Sequence, residues 1–392
     1  MALTLHLLDA SEKALCLDGS PPGYYWRQGT STRLLIGLLG GGWCSDPHDC
    51  LARSRTVYGS SSKWPKTIDG MGVTSADARS NPAFADWSVA FLWYCDGTSY
   101  SSDLSEPLVV NGSALHFRGR RIWEATLRSL RRTLAAAEDV VLYGESAGGV
   151  GCFTHLDALA AAVPTGVRVR GVCDSSFFGA DVSMTGAHRV APLLHKLWAQ
   201  YNLSAALDTS CAAAHAPLDR WRCLLPPTLY PFLSTPVFVL QSLYDCEALR
   251  GLGLGCLPPP DDAPPDVPAC RSDQQLGFFQ GFAERMRTSL ERVNATGGGS
   301  AGHNGLYADS CIHHSIGLFG GYWGSAEWTV SGVGAAQAVD AWLSDAPGPH
   351  QHVDKKAWPH NEQCVAAFET CLGKRSQPPW QCGPAEWQVH KC

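Results

Sequence analysis

Asp139-Val-Val-Leu-Tyr143, then Gly144-Glu-Ser146-Ala-Gly148, then Val150 to Ala162 is the stretch on which the fold turns. A run of β-branched and apolar residues predicts a strand, and the small residues that follow predict a sharp turn. Val150 to Ala162 reads as a helix. A serine at the apex of a strand–turn–helix is lifted clear of the sheet, and the helix N-terminus behind it offers backbone N–H groups to a developing negative charge. Ser146 is therefore a candidate nucleophile. The plain alternative is a glycine-rich turn in which Ser146 caps the helix.

Outward from this unit the pattern repeats. Arg33-Leu-Leu-Ile-Gly-Leu-Leu39, Ser88-Val-Ala-Phe-Leu-Trp-Tyr94, Val167 to Cys173 and Pro236 to Tyr244 read as further strands. Their apolar residues are continuous, not alternating, as in strands covered on both faces. Arg118 to Ala137 reads as an amphipathic helix and Ala335 to Leu343 as a last one. Strands alternating with helices predict an α/β fold with a mostly parallel sheet. Gly251 to Cys270 is too rich in proline for either element, and Gly297 to Gly302 is a second connection.

Composition excludes several classes. The chain has 392 residues, 45% hydrophobic and 17% charged, with a net charge of −6, so it is neither a disordered tail protein nor an evident partner of nucleic acid. No apolar run is long enough for a membrane span. Sixteen cysteines are scattered from Cys16 to Cys392 with no CxxC, which favours disulfides in an exported protein over a zinc site. Sequons at Asn111, Asn202 and Asn294 agree with export. Met1 to Ala10 makes a poor leader, lacking a basic start and broken by His6. The stretch from His350 to Cys392 reads as an appendage stapled by Cys364, Cys371, Cys382 and Cys392, giving a main domain over 14–346 and an extension over 347–392.

A serine nucleophile needs an acid, a histidine and a second source of oxyanion donors. Gly40-Gly-Gly-Trp43 follows a buried strand and lets the backbone approach a substrate carbonyl; it lacks the lysine of a phosphate loop. Asp174 and Asp245 each close a strand, and pattern alone does not choose between them. Beyond Asp245 stand His303, His313, His314, His350, His352, His360 and His390. The pair in Asp309-Ser-Cys-Ile-His-His314 has the best location, and spacing does not separate its members.

At these residues the sequence resembles the pectin acetylesterase family, which also contains the carboxylesterase Notum. The resemblance covers roughly Cys16 to Leu343. It rests on Cys16-Leu-Asp-Gly-Ser-Pro-Pro-Gly-Tyr24, Gly40-Gly-Gly-Trp-Cys44, Cys50-Leu-Ala-Arg53, Asn81-Pro, Tyr94-Cys-Asp-Gly97, Leu115-His-Phe-Arg-Gly119, Ser146-Ala-Gly-Gly149 and Ser310-Cys311. It implies an α/β-hydrolase-like three-layer sandwich and a triad of Ser146, Asp245 and His314. It further implies backbone oxyanion donors at Gly41, Gly42 and Ala147, Trp43 at the pocket mouth, and disulfides Cys16–Cys95 and Cys44–Cys50. No metal or organic cofactor is implied. The chain departs from the pattern at Leu39, where an acid would precede the glycines, at Cys246, at His313, and from about Gly348 onward.

The implied activity is ester hydrolysis. The substrate expected is an O-acetylated polysaccharide such as pectin; the alternatives are a Notum-like removal of a fatty acyl group from a protein, and an inactive glycan-binding module. Arg118, Arg120, Arg121, Arg128, Arg131 and Arg132 form a basic helix that would meet an acidic glycan, or be only a solvated face.

Overall fold

The computed structural model describes residues 1–9, 13–179, 183–254, 270, 272–295, 304–318 and 320–358. Ten strands form its central sheet: β1 (Ala2–Leu7), β2 (Gly23–Arg27), β3 (Arg33–Leu38), β4 (Thr67–Asp69), β5 (Ser88–Leu92), β6 (Asp139–Glu145), β7 (Arg168–Asp174), β8 (Val237–Ser242), β9 (Gly305–Asp309) and β10 (Gln351–Val353). Their spatial order is β10-β9-β8-β7-β6-β3-β5-β2-β1-β4. From β10 to β5 every pairing is parallel; β2, β1 and β4 extend the sheet antiparallel.

The continuous apolar runs have the cause the sequence suggests. Leu34, Leu35, Ile36 and Leu38 of β3 are fully buried, and every residue of β6 is buried. Flanking helices supply the cover. α1 (Gly119–Ala136) buries Ile122, Trp123, Leu130 and Leu134, while its arginines lie on the other side. α2 (Ala147–Ala162) is buried along its first turns. Three further helices are α3 (Cys246–Gly251), α4 (Asp273–Ala295) and α5 (Ala335–Leu343).

Two strands toward the ends of the sheet depart from the sequence reading. Ala2–Leu7, the poor leader, is a strand, with Leu3 fully buried against the core. Gln351–Val353, assigned to the extension, pairs in register with Leu306–Ala308 and closes the edge of the sheet opposite β4. Trp358 is buried behind it: its N–H donates to the Tyr244 hydroxyl, and the Gln280 side-chain amide donates to its carbonyl oxygen. The chain to residue 358 thus packs with the sheet and its core, whereas Cys364, Cys371, Cys382 and Cys392 lie outside the described residues.

Cys16 is bonded to Cys95, Cys44 to Cys50, Cys152 to Cys173 and Cys211 to Cys223. Every described cysteine is in a disulfide. His215 beside Cys211 and Cys223 therefore has no thiolate with which to form a metal site. Cys256 lies outside the described residues. Among the described residues, no helix is long and apolar enough to cross a membrane.

Candidate active site

In an open parallel sheet, functional groups gather beyond the carboxyl ends of the strands, where the order reverses. Here β7, β8 and β9 lie on one side of β6, and β3 and β5 on the other. Gly40 to Trp43 follow β3, Ser146 follows β6, Asp174 ends β7, Asp245 follows β8, and His313 and His314 follow β9. One rim of the sheet carries all of them.

Ser146 sits between β6 and α2 with φ 54° and ψ −124°, and its side chain makes no capping bond. The capping alternative is therefore excluded. A left-handed serine is strained, and such strain concentrates at functional turns. Close packing explains the surrounding small residues: a Cβ at Gly144 would lie 2.2 Å from the Gly148 carbonyl oxygen, and one at Gly40 would lie 2.7 Å from the Ser146 Cβ. The Gly40 loop thus rests directly on the turn.

That loop is held from behind. The Arg53 guanidinium donates to the Gly41 carbonyl oxygen at 2.7 Å and lies over the rings of Tyr58 and Tyr94. The Tyr94 hydroxyl donates to the Gly42 carbonyl oxygen at 2.9 Å. With φ of 142° and 65°, Gly41 and Gly42 adopt backbone that side chains disfavour. Ala147 is the first residue of α2, so its N–H has no partner within the helix. Trp43 is half-buried against Phe178; its indole N–H donates to the Ser99 hydroxyl, which donates to the Ala147 carbonyl oxygen. Leu39 is buried where the family pattern has an acid, and the carboxylate that meets this loop comes from Glu145, which accepts the Gly40 N–H at 2.5 Å.

The two undecided choices separate on contacts. His314 Nδ1 lies 2.9 and 3.0 Å from the two carboxylate oxygens of Asp245. Asp245 is fully buried, also accepts the Ala248 N–H and the Gln241 amide, and so caps α3 while holding the imidazole. Burial opposes charge on His314, but Asp245, and then Glu145 and Glu247, outweigh it and raise the imidazole to about 9. Asp174 faces elsewhere: it accepts from the Tyr143 and Ser175 hydroxyls and from the N–H groups of Ile316 and Gly317. Burial pushes its carboxyl up to about 6, against those donors. It fastens the loop just beyond His314. His313 Nε2 lies 2.8 and 2.9 Å from Asp309, with the ring stacked on Tyr322.

One bond ties the histidine loop to the serine turn and another ties it to the end of β7. The Ser315 hydroxyl donates to Glu145, and the Ser315 N–H donates to Ser175. The Ser146 N–H donates to the Asp174 carbonyl oxygen at 3.0 Å. Glu145, Ser315, Arg53 and Ser99 were not singled out from the sequence, because each acts through a contact distant along the chain. The one available signal was a charged residue inside an otherwise apolar strand end, at Glu145.

The pectinacetylesterase family model matches residues 1–365. The chain belongs to this family. Pectinacetylesterase relatives include pectin acetylesterase 11 of Arabidopsis thaliana, 29% identical over 90% of this chain and 90% of the relative. Pectin acetylesterase 5 of the same plant is 31% identical over 77% of this chain and 70% of its own length. The palmitoleoyl-protein carboxylesterase notum2 of Xenopus laevis is 28% identical over 95% and 76%. Among solved structures, the Wnt deacylase Notum from Drosophila superposes with a TM-score of 0.79 at 25% identity, covering 93% of this chain and all of that one. This pectinacetylesterase-family member is a carboxylic-ester hydrolase with an α/β-hydrolase-like fold.

Outside the site, Arg118, Arg120 and Arg121 are engaged with the Ser105 carbonyl, Glu124 and Asp103 respectively. Arg128, Arg131 and Arg132 are exposed. Only half of the basic helix thus faces solvent. Asn111 sits exposed in a tight turn between two short strands, and Asn202 at the C-terminus of a helix donates to the Asp103 carbonyl oxygen. The side chain of Asn294 lies outside the described residues.

Proposed function

We propose that the chain is an exported serine esterase that removes O-acetyl groups from a polysaccharide such as pectin. Ser146 is the nucleophile, His314 the general base and Asp245 its orienting carboxylate. The observation that carries this reading is the His314 Nδ1 contact with Asp245, on the same rim as a strained, uncapped Ser146. With Nδ1 so occupied, Nε2 is the nitrogen left to take the serine proton.

The Ser146 oxygen attacks the acetyl carbonyl as His314 takes its proton. The N–H groups of Gly41, Gly42 and Ala147 receive the oxyanion. Collapse breaks the ester bond, and His314 returns the proton to the departing sugar hydroxyl. Water, activated by the same imidazole, then releases acetate. The scheme calls on no metal or organic cofactor.

The acetylated-polysaccharide substrate is supported by the plant relatives named pectin acetylesterases and by the half-buried Trp43, an aromatic side chain of a type suited to stacking on a sugar. The likeness to the Wnt deacylase supports a second reading, removal of a fatty acyl group from a protein. Export is supported by the disulfides. Glycosylation at Asn111 fits its exposed turn, and contact with an acidic glycan falls to Arg128, Arg131 and Arg132.

Hydrolysis of acetylated pectin, acetylated xylan and long-chain acyl esters, side by side with Ser146→Ala, tests the reading. Acetate release from the polysaccharides, absent in the variant, is the expected result. Preference for acyl chains of about eight carbons or more would transfer the assignment to the lipid ester. Failure of a fluorophosphonate to label folded protein would point to the binding module.

A further inference from the structure

One buried charged group at the site has no part in the mechanism above. Glu145 directly precedes Ser146 and is 1% exposed. One carboxylate oxygen accepts the Gly40 N–H, at the root of the oxyanion loop; the other accepts the hydroxyl of Ser315, the residue after His314. These partners lie 105 and 170 residues away along the chain. Three segments that must keep register for acyl transfer therefore meet on one carboxylate. An apolar side chain would pack here more cheaply, because a buried carboxylate is costly unless its oxygens are bonded.

We propose that Glu145 is a positioning residue for the ester hydrolysis assigned above: its carboxylate locks the serine turn, the oxyanion loop and the histidine loop together and supplies a second negative charge, after Asp245, that favours the imidazolium of His314. This rests on His314 being the general base. A hydrogen-bonded strut alone would need no charge, and an amide would serve; a charge alone would need no second bond. Burial pushes the Glu145 carboxyl up, while His314, the Ser315 hydroxyl and the Gly40 N–H favour its charged form. Of the titratable groups facing it, Tyr58, Tyr100, Tyr143, Asp174, Asp245 and His314, His314 alone gains from its negative charge.

The test is the pH profile of kcat/KM on p-nitrophenyl acetate for the full chain and for Glu145→Gln, Glu145→Asp, His314→Ala and Ser146→Ala, with folding checked by circular dichroism. Gln keeps an acceptor for Gly40 and a partner for Ser315 but loses the charge; Asp keeps the charge and loses reach. In Gln the acid limb should move down by about one pH unit, with kcat/KM above the limb reduced roughly tenfold. In Asp the limb should stay while kcat/KM falls. An unmoved limb in Gln, or an equal movement in both, would overturn the proposal while leaving the triad intact. If Gln fails to fold, a limb displaced in Asp overturns it and a retained limb supports it. Full activity in His314→Ala and Ser146→Ala would sink the triad reading, and this proposal with it.

Discussion

His313 and His314 are neighbours in the chain, and each meets a buried carboxylate at the end of a parallel strand. Asp309 ends β9 and bonds His313 four residues later. Asp245 follows β8 and bonds His314 across 69 residues. The contacts are of equal length, so distance does not distinguish the pairs. What surrounds them does. His313 is enclosed by the rings of Tyr322 and Trp328. His314 stands where Asp245, Glu145 and Glu247 all favour its charged form, on the rim that holds Ser146. The first pair fastens a loop from within; the second is tuned by groups brought from elsewhere in the chain.

This contrast can be broken in order of effect. Replacing Ser146 or His314 with Ala should cost roughly 10³- to 10⁶-fold in kcat on an acetyl ester, measured by stopped-time assay on folded protein. If His313→Ala is the variant that loses this activity while His314→Ala keeps it, the two roles are reversed. Asp245→Asn should cost about 10⁴-fold in kcat by favouring the wrong tautomer, and the equivalent Asp309→Asn far less.

The charge on His314 makes a pH prediction. The imidazole must be neutral to accept the serine proton, so kcat/KM should climb from neutral pH and level off only above about 9. Stability follows the opposite course. A histidine raised from 6.5 contributes fully below that value and loses its contribution as pH rises through about 9, so Tm should fall across that window. A rate plateau beginning near 6.5 would show that the surrounding carboxylates do not tune His314.

The smallest expected effect sharpens the other half. His313→Ala leaves Asp309 without its ring partner and should cost about 1–3 kcal/mol of stability in urea unfolding. Its kcat/KM should stay within about tenfold of the native value, the change of a shifted loop and not of lost chemistry. A loss comparable to that of His314→Ala would place His313 in the reaction.

Much of the frame was legible in sequence because its cause is local. Leu34–Leu38 and Val140–Tyr143 are apolar on every residue because the sheet is covered on both faces. The serine turn announced itself through small residues at Gly144 and Gly148, where a Cβ would lie 2.2 Å from a backbone oxygen. Less legible were β1 and β10, the outer strands. Ala2–Leu7 alternates exposed and buried positions too weakly to read, and Gln351–Val353 is short, half-buried, and defined by its pairing with β9. The pairing of Arg121 in the basic helix was illegible for a related reason: its partner Asp103 lies outside the helix in sequence.

The sequence by itself determined a mostly parallel α/β sheet, a serine at a sharp turn after its third parallel strand in chain order, and cysteines meant for pairing. These follow from periodicity, residue size and thiol chemistry, which act over a few positions. It left Asp174 and Asp245 equal, as it left His313 and His314. The family resemblance pointed to Asp245 and His314, and only the tertiary structure shows the physical difference, because a carboxylate's surroundings are set by the donor that reaches it. Asp174 meets the N–H groups of Ile316 and Gly317, Asp245 meets an imidazole, and neither partner is near it in the chain.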